Sequence, residues 1–262
     1  MSEAIVITSG KGGAGKSLVT AGVAAQLARR KQRVAVIDMD VGLRSLDILF
    51  RLENSVVYDI ADVLDGICPM KQAIMRVKAY EGVFLINAPQ FGDSSAISVD
   101  QMDGVVDGLK KEYDFVLIDC PAGVGRGFHN AIAAADRALL VTIPEPICIR
   151  DAERAIGLME LKGMDRIDLV LNRVRPCHMQ KSAAGGVHRA EVALNHNVIG
   201  VVPEDPSVAA ANARGTAGDL CAHASGAAFD RIARRLMGES VPLHYPKAGL
   251  GARMRSLFGR EG

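Results

Sequence analysis

Gly10-Lys11-Gly12-Gly13-Ala14-Gly15-Lys16-Ser17 is the stretch that decides the fold of this chain. It matches the pattern G-x-x-x-x-G-K-[ST] of a phosphate-binding loop. A short apolar run over residues 4–8 comes just before it, and residues 17–30 carry an apolar face at helical spacing. Because the motif lies between a predicted strand and a predicted helix, its context favours a phosphate-binding loop over a chance glycine-rich turn.

The chemistry of the loop follows from its residue types. Glycines let the backbone curl so that successive N–H groups approach phosphate oxygens, and the positive end of the next helix adds to the attraction. Lys16 is expected to reach the β- and γ-phosphates of a nucleotide, and the Ser17 hydroxyl to ligate Mg²⁺. The predicted nucleotide-binding residues here are Gly10, Lys11, Gly12, Gly13, Ala14, Gly15, Lys16, Ser17 and Leu18.

The bulk composition bounds the class of protein. The 262 residues are 49% hydrophobic and 23% charged, which is typical of one large globular domain. A net charge of +1 supplies no overall field toward nucleic acid or membranes, so binding to either would need a local patch. Five cysteines without a C-x-x-C pair predict reduced thiols rather than a disulfide framework or a zinc ribbon. We expect neither a signal peptide nor a membrane-spanning run.

Strand-like apolar runs recur along the chain with helix-like segments between them. Near-continuous β-branched runs predict strands covered on both faces, and the intervening helices predict right-handed crossovers. The fold class is therefore α/β, a mainly parallel sheet with helices on both faces. After 4–8, the predicted strands are 33–38, 83–87, 115–119, 138–142, 169–172 and 198–202. Helices are predicted over 58–64, 70–75 and 97–111.

Carboxylates follow two of these predicted strands, at the edge where parallel sheets bind ligands. Asp38 and Asp40 come at the end of the second strand, and Asp119 ends the fourth. Phosphoryl transfer needs an aligned water and neutralised charge, so these carboxylates suit Mg²⁺ binding and water positioning. Without the phosphate loop, a pair of solvated aspartates would be the simpler interpretation. The neighbouring Cys120 is interpreted as a packed thiol, since no base stands at a suitable spacing.

A second lysine in the loop, Lys11, is more than an ordinary phosphate loop needs. With it, the loop resembles the deviant Walker A motif of the MinD/ParA family of ATPases. Residues 38–47, D-M-D-V-G-L-R-S-L-D, resemble the switch I region of that family. Asp119-Cys120-Pro121-Ala122-Gly123 resembles its Walker B aspartate and switch II. The resemblance covers nearly the whole chain and implies a P-loop NTPase fold.

The resemblance also implies roles for these residues. Lys11 would cross a dimer interface to the partner subunit's nucleotide, with a solvated loop lysine as the plain alternative. Asp40 would orient or activate the attacking water, and Asp38 would lie close to the Mg²⁺ shell. The implied catalytic residues are Lys11, Lys16 and Asp40, and the implied metal-binding residues are Ser17, Asp38 and Asp119.

Base recognition and partner binding rest on the same resemblance. The implied adenine-contacting residues are Asn172, Arg173 and Pro203. An amide can both donate to and accept from the adenine edge, and the N-K-x-D motif usual in GTPases does not occur in the sequence. The helix predicted after the fifth strand corresponds to the family's partner-binding surface. Its candidate residues, Arg150, Asp151 and Glu153, are equally consistent with a solvated helix start.

The final stretch, 249–262, is basic and amphipathic. Its apolar residues recur at i, i+4, i+7 and i+8 and share one narrow helical face, which fits a helix lying in a membrane interface. So short a segment is expected to bind weakly alone and better when a dimer presents two copies. It resembles the membrane-targeting sequence of the family; a helix packed on the domain or a disordered tail are the alternatives. The predicted membrane-contacting residues are Leu250, Met254, Leu257 and Phe258.

The predicted organisation is an ATPase domain over 1–240, a linker over 241–248 and the membrane-targeting segment over 249–262. The resemblance implies an ATP- and Mg²⁺-dependent homodimer that binds an anionic membrane surface reversibly, on the cytoplasmic side. It also implies placement of the division site by recruitment of the division inhibitor MinC, with a stimulating factor such as MinE and no specific nucleic acid.

Three other functions stay open at this point. A flagellar-placement ATPase of the FlhG type shares the loop and the tail but would be expected to carry an extension before the first strand. A ParA-type DNA-segregation ATPase would need basic DNA contacts, which a near-neutral chain does not favour. A nitrogenase iron-protein-like electron donor would need cysteines in a cluster-binding context, and the five present do not offer one.

Overall fold

The computed structural model describes residues 2–40, 45–52, 55–89, 97–121, 123–179, 186–208, 220–222 and 224–246. Within these ranges an eight-stranded sheet carries helices on both faces. The strands are β1 (Glu3–Thr8), β2 (Val34–Asp38), β3 (Met75–Arg76), β4 (Val83–Ile86), β5 (Phe115–Asp119), β6 (Arg137–Thr142), β7 (Ile167–Val174) and β8 (Asn197–Pro203). The α-helices are α1 (Lys16–Arg29), α2 (Ser45–Phe50), α3 (Ile60–Leu64), α4 (Met70–Ala73), α5 (Val99–Lys110), α6 (Arg126–Ala133), α7 (Pro146–Leu161), α8 (Gly186–Leu194) and α9 (Ala224–Leu236), and a 3₁₀ turn spans Pro176–Met179.

The strand order β3-β4-β2-β5-β1-β6-β7-β8 determines where a ligand can bind. Every described strand pair is parallel except β3 with β4. Asp119 at the end of β5 lies between Ile7 of β1 and Asp38 of β2 in the pairing register. The loops after β1, β2 and β5 therefore leave the same edge of the sheet side by side, where α/β sheets bind their ligands.

The predicted α/β class and mainly parallel sheet are confirmed, and all seven predicted strands are present with ends that differ by at most two residues. The predicted helix over 70–75 is wrong at its end, because α4 stops at Ala73 and Met75 begins β3. Only two residues of β3 pair, with Leu85 and Phe84, and so short a strand is too brief to show an alternating pattern in the sequence. Helices α2, α6 and α8 are additions that the sequence analysis did not predict.

Two apolar layers hold the helices to the sheet. Helices α5, α6, α7 and α8 cover one face, and α1, α2 and α9 cover the other. Helix α1 is buried nearly all round, because α9 packs over its outer side. Gly22 permits that close approach, since a Cβ at this position would lie 2.2 Å from the Phe229 ring of α9. The helix that follows the phosphate loop is thus held in place by the sheet on one side and by α9 on the other.

The stretch 241–246, within the predicted linker 241–248, has no regular secondary structure, and its two prolines oppose helix formation. It is nevertheless tied to the domain. The Arg235 guanidinium donates to the carbonyls of Val241 (2.9 Å) and Pro242 (2.6 Å), and the Tyr245 hydroxyl donates to Glu191 at 2.8 Å. The predicted membrane-targeting segment and its four apolar residues lie outside the described residues. Among the residues that are described, no helix has the length and apolar character needed to cross a bilayer.

Candidate nucleotide-binding site

The loop between β1 and α1 has the backbone that its glycines were expected to provide. Gly13 and Gly15 have φ angles of 83° and 92°, in the left-handed region that glycine tolerates without strain. A Cβ on Gly15 would lie 2.3 Å from Asn172 Nδ2, and a Cβ on Gly10 would lie 2.2 Å from the carbonyl oxygen of Asp151 in α7. Packing therefore disfavours a side chain at Gly10 and at Gly15.

The two lysines of the loop occupy different environments. Lys16 is 6% exposed and lines a cavity of about 890 Å³, a volume within the usual range of small-molecule sites. Lys11 is exposed and does not line this cavity. Of the predicted loop residues, the cavity is lined by Gly12, Gly13, Gly15, Lys16, Ser17 and Leu18, whereas Gly10, Lys11 and Ala14 stay outside it. The structure thus places one lysine inside the candidate site and the other at its surface.

Two buried carboxylates lie beside the loop, where β2 and β5 end. Asp119 accepts a hydrogen bond from the Thr20 hydroxyl at Oδ1 (3.0 Å), while its Oδ2 is buried without a hydrogen-bond partner. Asp38 accepts the backbone N–H groups of Asp40 (2.9 Å) and Leu46 (3.3 Å). Both aspartates are fully buried. The backbone after β2 is therefore organised around one carboxylate, and the other carries an unpaired oxygen.

The raised pKa values of Asp38 and Asp119 show that a cation bound nearby would stabilise their ionised forms. Burial, followed by the charge of Asp119, raises the pKa of Asp38 to about 7. Burial also raises the pKa of Asp119 to about 6, although Lys16 and the hydroxyls of Ser17 and Thr20 oppose the shift. A cation bound beside two adjacent buried carboxylates would lower both pKa values and favour the ionised form of each.

The oxygens of Ser17, Asp38 and Asp119 are of a type that fits Mg²⁺, and their binding of the ion stays a prediction. Carboxylate and hydroxyl oxygens are the ligand type that Mg²⁺ prefers, together with water and nucleotide phosphates. The unpaired Oδ2 of Asp119 is the observation that a bound cation would explain. When bound, the ion would neutralise charge on the nucleotide phosphates.

Asp40, the predicted water-positioning residue, is half-buried and lines the cavity. Burial raises the pKa of its carboxyl, and Lys16 opposes that shift. The carboxyl therefore lies at the cavity wall within the electrostatic influence of the loop lysine. Its role toward water stays a prediction, and the residues 41–44 that follow it lie outside the described part of the chain.

All three residues predicted to contact adenine line the same cavity, on the side formed by the ends of β7 and β8. Asn172 is 2% exposed, and its Nδ2 donates to the Ala14 carbonyl at 2.7 Å. Arg173 has a φ of 51°, a left-handed angle that is uncommon for a residue other than glycine. Asn172 thus supports the phosphate loop directly, and its contact with a base, like those of Arg173 and Pro203, stays a prediction.

The predicted partner surface adjoins the loop. Helix α7 contains Arg150, Asp151 and Glu153; the first and last are exposed, and Asp151 is half-buried. Because Gly10 packs against the backbone of Asp151, a movement of the loop would displace α7 as well. Whether these side chains bind a partner stays a prediction.

Sequence reasoning missed two features of the site. Thr20 holds Asp119 through its hydroxyl, and its position one helical turn after Lys16 is a signal that could have indicated this. Asp205 lines the cavity and accepts hydrogen bonds from Ser207 and from Ser225, at the start of α9. No local pattern joins Asp205 to Ser225, because the fold alone brings them together.

A strand, a glycine-rich loop and a helix that present Lys16 and Ser17 to one cavity, with the buried carboxylate of Asp119 held by Thr20 of the same helix, define a P-loop nucleotide-binding protein. Comparison with known proteins refines this class. A family model described as "ParA: NUBPL iron-transfer P-loop NTPase" matches residues 1–237. The septum site-determining protein MinD of Bacillus subtilis is 41% identical, over 99% of each chain. That of Synechocystis is 40% identical, over 92% of each.

Solved structures give the same result. The MinC:MinD cell division protein complex of Aquifex aeolicus is similar with a TM-score of 0.84 and 36% identity, covering 93% of this chain and 99% of that one. MinD of Pyrococcus horikoshii complexed with Mg-ADP has a TM-score of 0.77 and 28% identity, covering 90% and 96%. The chain belongs to the MinD/ParA family of ATPases.

Proposed function

We propose that this chain is an ATPase that forms a homodimer when it binds ATP, and that the dimer binds the membrane and marks where the cell may divide. The observation that carries the proposal is the different placement of the two loop lysines. Lys16 is buried in the nucleotide cavity, whereas Lys11 is exposed beside it. A cation that does not line the cavity of its own chain is available to the nucleotide of a second copy.

The chemistry of hydrolysis in this proposal is electrostatic. Backbone N–H groups of the loop and Lys16 would hold the phosphates, and Ser17, Asp38 and Asp119 would hold the Mg²⁺. Asp40, at the cavity wall, orients the attacking water. Hydrolysis then removes the γ-phosphate that holds the dimer together, so the reaction resets a switch.

Helix α7 is the surface on which we propose that a partner protein binds. Its exposed Arg150 and Glu153 lie on the helix that contacts Gly10 of the loop, so a surface formed here would depend on the loop's state. The Aquifex protein named above is a MinC:MinD complex, and we propose that a MinC-like division inhibitor binds this chain as well. A stimulating factor of the MinE kind would act on the same switch.

The basic amphipathic segment 249–262 would supply the membrane contact, through Leu250, Met254, Leu257 and Phe258. One such segment is too short for firm binding, and two in a dimer bind together with a large gain in avidity. The proposed location is therefore the cytoplasm, with ATP-dependent attachment to the inner face of the cell membrane.

Sedimentation velocity tests the dimer. The wild type should sediment as a dimer with Mg²⁺ and a slowly hydrolysed ATP analogue, and as a monomer with ADP. Lys11→Ala should stay monomeric in both while binding ADP as tightly as the wild type, because Lys11 lies outside its own cavity. The matched control is Lys162→Ala, which removes an exposed lysine just after α7 and should dimerise normally. Normal dimerisation of Lys11→Ala would overturn the proposed role of this lysine.

A further inference from the structure

Asn87, the residue that follows β4, is a buried polar side chain that no role assigned above uses. It is fully buried, and neither its Oδ1 nor its Nδ2 has a hydrogen-bond partner. Among the residues that the structure describes, no other side chain buries two such atoms. An amide without partners in the protein interior costs folding free energy, so its presence at this position needs an explanation.

The usual reasons for an asparagine at the end of a strand do not apply here. An asparagine side chain commonly bonds to the backbone of the turn that follows, but Asn87 makes no such bond. Its backbone is held without the side chain, because the carbonyl of Asn87 accepts the N–H of Ile60 in α3 at 3.0 Å. The adjacent residues Ile86 and Ala88 are buried and apolar, so an apolar side chain would suit the position.

The register of the sheet places Asn87 beside Asp38. The last pair of residues between β4 and β2 is Ile86 with Ile37. The next residues, Asn87 and Asp38, therefore lie side by side, with their strands about 4.8 Å apart. Asp38 pairs in turn with Asp119 of β5. Three polar residues thus form one row at the edge where parallel sheets bind ligands.

The side chains of this row share one face of the sheet. Side chains alternate along a strand, and two positions earlier all three strands place a residue in the apolar layer of α1 and α2: Leu85, Val36 and Leu117. On this face Asp38 Oδ2 accepts the N–H of Leu46, and Asp119 Oδ2 has no hydrogen-bond partner. Both ends of the row therefore carry polar atoms without partners, on either side of Asp38.

We propose that Asn87 is a positioning residue of the Mg²⁺ site, whose amide N–H donates to the Asp38 carboxylate, directly or through one water, when the ion is bound. The inference rests on the Mg²⁺ site of the proposed function. The N–H groups of Asp40 and Leu46 each occupy one oxygen of Asp38, and a carboxylate oxygen can accept a second donor. A donor on the neighbouring strand fixes the direction of the carboxylate, as groups behind a metal ligand commonly do.

This role accounts for the unpartnered amide. A side chain that gains its partner only when the ion binds favours the ion-bound form and lowers the stability of the protein in EDTA. An apolar replacement should therefore weaken ion binding without lowering stability in EDTA. A merely structural asparagine would give the opposite pair of results, a loss of stability and unchanged ion binding.

The test measures ion binding directly. Mn²⁺, which takes the same oxygen ligands as Mg²⁺, is titrated into the full chain with one equivalent of ADP, and free Mn²⁺ is counted by electron paramagnetic resonance. Asn87→Val should bind Mn²⁺ about tenfold more weakly than the wild type, the usual effect of removing a group that orients a metal ligand. Its melting temperature in EDTA should be at least that of the wild type.

Two matched variants make the result specific. Asn87→Thr has the shape of Asn87→Val but keeps a hydroxyl donor, so it should bind Mn²⁺ more tightly than Asn87→Val does. Gln26→Leu removes a buried amide of α1 that donates to the Gly226 carbonyl at 3.0 Å. It should lower the melting temperature, because that carbonyl loses its donor, and should leave the Mn²⁺ affinity unchanged.

The outcomes separate this inference from the proposed function. If the wild type with ADP bound no Mn²⁺, the proposed Mg²⁺ site itself would be overturned. If the wild type bound Mn²⁺ and Asn87→Val bound it equally well, only the role of Asn87 would be overturned. Equal Mn²⁺ affinities of Asn87→Val and Asn87→Thr, or an equal loss in Gln26→Leu, would also overturn that role.

Discussion

Asp38→Asn is expected to gain stability relative to the wild type as the pH rises, when Mg²⁺ and nucleotide are absent. In the folded protein the pKa of Asp38 is raised from 3.8 to about 7, chiefly by burial. The folded state then binds the proton more tightly than the unfolded chain does. The resulting stability is fully present below the unfolded pKa and is lost as the pH rises through about 7.

The size of the effect follows from the pKa values. The difference corresponds to on the order of 4 kcal/mol of unfolding free energy. Roughly 2 kcal/mol of this is already lost at pH 5, because the unfolded carboxyl is mostly ionised there, and roughly 2 kcal/mol more is lost by pH 8. The asparagine amide does not titrate. It leaves one of the N–H groups of Asp40 and Leu46 without an acceptor, at a constant cost of about 1–2 kcal/mol.

Urea unfolding followed by circular dichroism, in EDTA at pH 5 and pH 8, measures this difference. The two proteins should be about equally stable at pH 5, and the variant should be more stable at pH 8 by roughly 2 kcal/mol. The control is Asp107→Asn, which removes an exposed carboxylate on α5 and should have the same free energy of unfolding as the wild type at pH 5 and at pH 8. Saturating Mg²⁺ and ADP should flatten the wild-type decline. A difference between wild type and Asp38→Asn that does not change with pH refutes the reasoning.

Three further predictions concern packing, charge and the loop. Gly22→Ala should lower the free energy of unfolding, measured in urea, by about 1–3 kcal/mol, because its Cβ would lie 2.2 Å from the Phe229 ring. Replacing a glycine within a helix by alanine usually stabilises the helix, so an increase in this free energy would contradict the prediction. Arg137→Met should lower the free energy of unfolding by about 3 kcal/mol, since Arg137 and Asp168 are each only 11% exposed and 2.6 Å apart, and the change leaves the buried carboxylate without this ion pair. Adding Asp168→Leu should restore most of the lost free energy of unfolding. Asn172→Leu should weaken ADP binding about tenfold by calorimetry, because the loop carbonyl loses its donor; unchanged affinity would show that the bond is dispensable.

The sequence predicted the phosphate loop and the main strands of the sheet better than the short elements around them, such as β3 and α2. The phosphate loop, the aspartates that end β2 and β5 and the seven main strands all follow from short local patterns, and the structure has them where expected. These patterns are reliable because a parallel strand buried on both faces leaves a continuous apolar run, and a phosphate loop needs glycine at fixed positions.

What was not predicted depends on contacts that leave no periodic pattern in the sequence. Strand β3 exists because two residues pair with β4, and α2 is held by the N–H group of Leu46 bonding to Asp38. The Asn172 side chain supports Ala14, which is far away in sequence. Only the folded arrangement shows that Asn87 lies beside Asp38. Such contacts have no local signature, so a single sequence gives no means of finding them.

The most direct test of the proposed switch is co-sedimentation with phosphatidylglycerol vesicles, compared in ATP, in ADP and without nucleotide. The full chain and a chain ending at Pro246 are measured side by side. The proposal predicts pelleting of the full chain in ATP only, and none of the shortened chain. Equal pelleting in ATP and ADP would contradict a nucleotide-controlled membrane switch, and ATP-dependent binding to duplex DNA without vesicle binding would favour a ParA-type function instead.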